Sequence, residues 1–384
     1  MSGIDKIGEP DVFIVADNVL SPLGKTTAEN FDQLKKNVSA VKRHQDAAIS
    51  SQPFYASLFD KNETFLEADT YGYTKFEQLI IASITGALKD SAVDIKDKKT
   101  VLIISSTKGN ISLLETENNN AELKKRIALS TSAKLIADHF GFTDQPGIIS
   151  NACVSGVMAI ITGMRLLRSG QYTHAIIAGA DVISKFIMSG FESFQALSLQ
   201  VCKPFDKLRD GLNLGEGAGT VILSTNKKYE HNIKVLGGSV SNDANHISGP
   251  SRTGKELAYA IDRSLQDAGL SNEDIDFISA HGTATVYNDE MEANAIALSG
   301  LQSVPLNSLK VYYGHTLGAA GLIESIISIQ SLKQGLVLPT PGFAETGVTQ
   351  PVNVVTSPLH IKANNFLKTA SGFGGCNAAV VFGK

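Results

Sequence analysis

Pro146-Gly147-Ile148-Ile149-Ser150-Asn151-Ala152-Cys153-Val154-Ser155-Gly156 passes from a turn through a short apolar run into a cluster of small residues. Val157, Ile160, Ile161, Met164 and Leu167 then follow at helical spacing. The reading is a short buried strand, a tight turn and a helix that Cys153 caps at its N-terminus. There the positive end of the helix macrodipole favours a thiolate, lowering a free-thiol pKa of about 8.5 toward neutrality, and unpaired N–H groups face whatever the sulfur attacks. The other reading is a small hydrophobe buried in a turn. What else converges on this sulfur decides between them.

The chain has 384 residues, 43% of them hydrophobic, enough for two domains or one large duplicated fold. Net charge is −4 and no block of Lys or Arg stands out, so nothing points to nucleic acid or an anionic membrane, and small-molecule chemistry fits better. Met1-Ser2-Gly3-Ile4-Asp5-Lys6 lacks a basic segment followed by a long apolar one, and no later apolar run spans a bilayer; a cytoplasmic protein is expected. Cys153, Cys202 and Cys376 are too few and too unevenly placed for a disulfide framework or a zinc site.

Strands alternate with helices along the chain, which argues for mixed α/β layers. The first half, residues 1–229, reads as strands at 11–16, 100–105, 174–179 and 220–224. Its helices are expected at 27–36, 75–90, 123–140, after Cys153, and at 191–199, with a mobile loop over 42–62. The second half, 230–384, repeats the alternation, with helices expected at 254–268, 290–298 and 318–332. The halves also match locally. The Cys153 turn and the Gly314-His315-Thr316-Leu317-Gly318 turn each open a helix, and a Gly cluster feeding an apolar strand follows each, at 215–223 and 372–382. A duplication is read, with two helix N-termini able to meet near the pseudo-symmetry axis.

Three further motifs carry chemistry. Ser279-Ala280-His281-Gly282-Thr283-Ala284-Thr285 puts a His just past an apolar strand among small and hydroxyl residues, with Asn288-Asp289 following. Lys310-Val311-Tyr312-Tyr313-Gly314-His315 puts a second His at a helix start, where the helix's positive end biases the imidazole neutral, suited to donating a hydrogen bond. Gly372-Phe373-Gly374-Gly375 is a turn whose N–H groups can point into a cavity, or simply a tight hairpin.

One cysteine, two histidines, a lysine and a Gly-rich turn suit carbon–carbon bond formation on a thioester. Together with Ser21-Pro22-Leu23-Gly24, Lys203-Pro204-Phe205-Asp206, Arg209-Asp210-Gly211 and Gly215-Glu216-Gly217, in this order and spacing, they make nearly the whole chain resemble the elongating β-ketoacyl-acyl-carrier-protein synthases of the thiolase superfamily. The resemblance implies a five-layered αβαβα thiolase-like fold built from two similar halves, with the active site between them. It makes Cys153 the acyl-accepting nucleophile. Phe373 and Cys153 supply the oxyanion-hole N–H groups, and the Phe373 ring is a gate. His281 and His315 hold the malonyl thioester oxygen, supported by Lys310, Glu324 and, one layer out, Asp289. Thr283 and Thr285 line the pantetheine tunnel, and Phe191, Phe194, Ile111 and Leu113 wall the acyl pocket. No metal or organic redox cofactor is implied; 4'-phosphopantetheine arrives on an acyl carrier protein. A homodimer, or a heterodimer with a related subunit, is expected.

Gly372 stands where thiolases of the superfamily carry a second cysteine, so Cys376 is read as packing, and the histidine at 315 stands where initiating synthases carry asparagine. The chain lacks the Arg-rich run that many relatives present to the carrier protein; Lys203, Lys207 and Arg209 are the candidates to replace it. The alternative to a catalyst is a non-catalytic partner like the chain-length factors, against which Cys153, His281, His315 and Lys310 argue together.

Overall fold

The computed structural model describes residues 8–66 and 71–384. The first half runs β1 (Phe13–Leu20), α1 (Thr27–Lys35), α2 (Lys75–Lys89), β2 (Thr100–Ser105), α3 (Leu129–Phe140), β3 (Gly147–Ile149), α4 (Ser155–Arg168), β4 (His174–Asp181), α5 (Lys185–Ser193) and β5 (Gly217–Ser224). The second runs β6 (Lys234–Asn242), α6 (Lys255–Ala268), β7 (Phe277–Ser279), α7 (Val286–Leu298), β8 (Pro305–Asn307), α8 (Ala320–Gln334), β9 (Asn365–Gly372) and β10 (Cys376–Gly383). Each half builds the same sheet. Its order from the centre outward is β1-β5-β4-β2-β3 in one and β6-β10-β9-β7-β8 in the other, with the first two pairings antiparallel and the last two parallel in both. The duplication read from two short matches extends to five strands in each half, and the second half adds one more, Asn353–Val354, parallel to the outer edge of β8. A single antiparallel pairing, Phe13 with Lys234, joins the halves.

Burial on both faces explains why the strands read as continuous apolar runs. One core lies under α2 and α3, a second under α6 and α7, and the largest surrounds α4 and α8 between the sheets, giving five layers. Val157, Ile160, Ile161, Met164 and Leu167 of α4 are all within this central core. The axis is closed by glycine. A Cβ at Gly156 would lie 2.6 Å from the Leu322 amide nitrogen, and one at Gly321 would lie 2.6 Å from Val157 Cγ2, so the first turns of α4 and α8 touch.

Several local expectations change. Residues 42–62 are not a loop throughout: Lys42–His44 pairs antiparallel with Phe54–Ser57, which pairs parallel with Leu214–Gly215. Strands of three and four residues are too short for periodicity to reveal. Glu216 fixes this layer, accepting from the N–H groups of Phe59 (3.0 Å) and Ile183 (3.1 Å) and from Lys75 Nζ (2.7 Å). The helix expected at 191–199 lies at Lys185–Ser193, because Ser184 caps it through the Ile187 N–H. The helix expected at 123–140 is broken into Ala121–Arg126 and Leu129–Phe140, where the Arg126 guanidinium grips buried Glu77 at two points, both 2.5 Å. The Arg126 contacts help hold the Glu77 carboxyl down to about 2 against the upward push of its burial.

The glycine contact at the axis sets a stability test. Gly156→Ala forces a methyl against backbone and should cost on the order of 1–3 kcal/mol, seen as a lower Tm in thermal unfolding. Gly190→Ala, whose added carbon meets nothing within 4 Å, should leave Tm unchanged or slightly raised. Equal Tm values for the two variants would contradict the close approach.

Candidate active site

The nucleophile turn is held by its own neighbours. Ser155 Oγ accepts the Asn151 N–H at 2.8 Å and donates to the Ala152 carbonyl at 2.7 Å, closing a loop around Cys153 just ahead of α4. Ala152 is left-handed at φ +44°, a strained geometry for a residue with a Cβ, in the turn that presents the sulfur. Cys153 is buried, and its Sγ lies 3.0 Å from His315 Nε2. That contact joins the halves. The His315 N–H donates to the Asn213 carbonyl at 2.6 Å, and Gly215 N–H to the His315 carbonyl at 3.1 Å. Gly215 must be glycine here, since a Cβ would lie 1.9 Å from the Tyr313 carbonyl oxygen.

His281 stands beside His315, their ring centroids 5.4 Å apart and planes at 83°. Lys310 Nζ donates to the His281 carbonyl (2.6 Å), faces its Nδ1 (3.2 Å), and pairs with Glu324 Oε1 (2.7 Å). An ammonium has no lone pair, so His281 Nδ1 is the acceptor and the ring proton sits on Nε2. His315 Nδ1 is buried with no hydrogen-bond partner among the described residues, which places that ring's proton on Nε2 as well. Asp289 accepts from the N–H groups of Phe205 (2.7 Å) and Thr283 (2.9 Å), and burial raises its carboxyl to about 6. The hydroxyls of Thr283 and Thr285 are paired at 2.9 Å.

Burial governs the charges. It pushes the Cys153 thiol up to about 12, although the Lys310 ammonium and the Phe373 N–H pull it down. The expected drop toward neutrality at the helix end is therefore overturned: with the sulfur out of water, loss of hydration outweighs the dipole. The histidines do stay neutral. Both lie well below the usual imidazole value, through burial first and then the cations of Lys310 and Lys368, rather than through a helix end alone.

A cavity of about 480 Å³ is lined by Cys153, His281, His315, Thr283, Thr285 and Phe373. Phe373 also walls a second cavity of about 660 Å³, shared with Phe191 and Phe194. Its ring stacks on Phe191 (centroids 5.8 Å) and meets Phe194 edge-on (5.1 Å). Leu114, not Leu113, reaches the second cavity, and Ile111 packs in the cluster beside it. Gly372 fits tightly against the nucleophile, since a Cβ there would lie 2.9 Å from the Cys153 nitrogen. Cys376 is buried in the central core and its thiol donates to Asn151 Oδ1 at 2.7 Å, bracing the same turn. Arg209 is tied to the Asp206 and Gly347 carbonyls (3.0 and 2.5 Å), and Lys207 pairs with Glu345 at 2.9 Å.

Three buried groups escaped the sequence reading. Asp181, at the end of β4, accepts from Ser106 Oγ (2.8 Å) and the Gly318 N–H (2.7 Å), binding the loop after β2 to the turn after His315; burial raises its carboxyl to about 6. Glu292 accepts the N–H groups of His281 (2.8 Å) and Gly282 (2.7 Å). Lys368 pairs with Glu324 Oε2 at 2.6 Å. Asp181 and Lys368 were visible as charges in apolar runs, whereas Glu292 on a helix carried no such signal. Among the described residues, no group of three His, Cys, Asp or Glu side chains is arranged to hold a metal ion, and no helix is long and apolar enough to cross a membrane.

The raised thiol makes a pH prediction. A neutral thiol yields thiolate only as pH climbs toward its pKa, so alkylation of Cys153 by iodoacetamide should rise about tenfold per pH unit from 6 to 9 without levelling. Peptide mass spectrometry reads the rate at Cys153 alone. A plateau near pH 7 would mean a thiolate–imidazolium pair at rest and contradict this reading.

Two family models match the chain: the beta-ketoacyl synthase N-terminal domain over residues 9–229 and the C-terminal domain over 233–344. A 3-oxoacyl-acyl-carrier-protein synthase 2 from Vibrio cholerae is 30% identical, covering 97% of this chain and 98% of its own length. A 3-oxoacyl-acyl-carrier-protein synthase 2 from Staphylococcus aureus is 26% identical over the same shares of the two chains. Among solved structures, the ishigamide ketosynthase/chain length factor superposes with a TM-score of 0.88 at 25% identity, over 98% of this chain and 100% of that one. A ketosynthase in complex with its chain length factor from Xenorhabdus doucetiae shares the fold at a TM-score of 0.87 and 24% identity, over 100% of both chains. With both domain models matched along one thiolase-like fold, this chain belongs to the beta-ketoacyl synthase family.

Proposed function

We propose that this protein catalyses the decarboxylative Claisen condensation of an acyl chain held on Cys153 with malonyl-acyl carrier protein, extending a fatty acid, polyene or polyketide chain. The observation that carries this reading is the 3.0 Å contact between Cys153 Sγ and His315 Nε2 in a cavity that also holds His281. In the first step the sulfur attacks the carrier-protein thioester, a carbon–sulfur bond forms at Cys153, and the thiol proton leaves with the departing pantetheine sulfur. The N–H groups of His315 Nε2 and Phe373 face the sulfur and stabilise the negative charge that develops there. In the second step the malonyl carboxylate leaves as carbon dioxide and the bonding pair becomes an enolate, whose oxygen takes hydrogen bonds from Nε2–H of His281 and His315. The enolate carbon attacks the acyl carbonyl, the N–H groups of Cys153 and Phe373 hold the oxyanion, and collapse expels the Cys153 thiolate, which regains a proton.

Lys310, Glu324 and Asp289 hold the histidine loop in this scheme. Thr283 and Thr285 line the path of the 4'-phosphopantetheine arm, which arrives on the acyl carrier protein; no bound cofactor is invoked. We place the protein in the cytoplasm as a homodimer or a heterodimer with a related subunit, divided into halves at residues 229 and 230. The ketosynthase and chain length factor complexes among the similar structures are consistent with such a pairing. A non-catalytic, chain-length-factor-like role would leave no use for a cysteine, two histidines and a lysine converging on one cavity.

The test is release of carbon dioxide from malonyl-carrier protein and condensation with an acyl-carrier protein. His281→Ala and His315→Ala should each lower decarboxylation by on the order of 10²–10³-fold, and wild-type protein that releases no carbon dioxide would overturn the proposal. Phe373→Ala should change acyl-length preference by merging the two cavities; an unchanged preference and rate would count against the gate.

A further inference from the structure

Lys368 lies mid-strand in β9, within Phe366-Leu367-Lys368-Thr369-Ala370, with no exposure to solvent. An ammonium there has lost its hydration and needs built partners in place of water. Its Nζ has three: Glu324 Oε2 at 2.6 Å and the carbonyl oxygens of Ser279 and Ala280, both at 3.1 Å. Lys310 takes the other oxygen of Glu324 and the carbonyl of His281. Two ammonium groups sharing one carboxylate therefore hold three consecutive carbonyls, the last of them that of His281. Glu292, the other carboxylate facing Lys368, is turned away to the N–H groups of His281 and Gly282 and the Thr369 hydroxyl.

Two ammonium groups, Lys310 and Lys368, face two carboxylates, Glu324 between them and Glu292 on the far side of the His281 backbone. We propose that Lys368 is a positioning residue of the two-histidine site: by taking the second oxygen of Glu324 and the carbonyls before His281, it fixes the His281 loop and holds a second positive charge, besides that of Lys310, behind both imidazoles. That charge opposes protonation of the rings and favours the negative enolate they hold, so the inference rests on the condensing reaction proposed above. The other ionisable groups around the rings are Lys310, which faces both, the Glu292 carboxylate at the His281 backbone, Cys153 at His315, and each ring at the other. Burial and the two lysines all push both rings toward the neutral form.

The sign follows directly. Removing a nearby cation raises the histidine pKa values, so the rings protonate, and activity falls, at higher pH. Lys368→Met and Lys368→Gln in the full-length protein remove the charge, and Lys368→Arg keeps it. NMR titration of isotope-labelled histidines should show His281 and His315 taking up protons at a pH about one unit higher in the neutral variants. The acid limb of carbon dioxide release should move with them, Cys153 acylation at alkaline pH should stay within about threefold of wild type, and the Arg variant should keep the wild-type profile. An unchanged titration in a folded neutral variant overturns the proposal, as does an equal shift in the Arg variant. If neither neutral variant folds while the Arg variant does, Lys368 serves the fold rather than the histidines, and the proposal also fails. The NMR titration reads the inference even if the wild-type protein releases no carbon dioxide, a result that would count against the condensing reaction instead.

Discussion

A sulfur on one half of the chain and an imidazole nitrogen on the other, 3.0 Å apart, define the contact on which the rest of the structure depends. Neither half brings both atoms. Cys153 is presented by the turn before α4 and His315 by the turn before α8, and the two turns meet because their helices start against each other across glycines. Residues with side chains at 156, 215 or 321 would hold the turns apart. The doubled sheet order is the scaffold that makes this meeting possible, since the same strand-to-helix crossing at the third strand of each half delivers both turns to the axis.

Burial then decides the chemistry. A thiol pushed up to about 12 keeps its proton, and two histidines held well below their usual value carry none to spare, so the reacting groups rest uncharged. Charge is instead concentrated one layer behind, in Lys310, Lys368 and Glu324, where backbone carbonyls and ion pairs satisfy it. Such a site suits a reaction whose anions are transient: donors already aimed at the sulfur and at the cavity need not reorganise when negative charge appears. Asp181 and Glu292 serve the same end by fixing loops rather than by facing the cavity.

Much of this was legible in the chain. Apolar runs gave the long strands, helical spacing gave α2, α4, α6 and α8, and small-residue turns flagged Cys153, His281, His315 and Phe373, all of which line one cavity. What escaped depended on tertiary contacts. The short strands at 42–44 and 54–57 pair with each other and with Leu214–Gly215, a segment far along the chain, where the Glu216 N–H donates to the Ser57 carbonyl. Likewise, the break after Arg126 accompanies its grip on Glu77, a residue far along the chain. The thiol's protonation state was misjudged for the same reason, because a turn sequence reports a helix end but not how deeply the sulfur is buried.

The central claim is that Cys153 carries the acyl chain in this shared site. Mass spectrometry of the protein after brief exposure to an acyl-carrier protein tests it most directly. The account predicts one acyl group, on the Cys153 peptide, that disappears as a β-keto product forms when malonyl-carrier protein is added. Acyl groups found on Cys202 or Cys376 instead, or an acyl-Cys153 that malonyl-carrier protein leaves untouched, would contradict it.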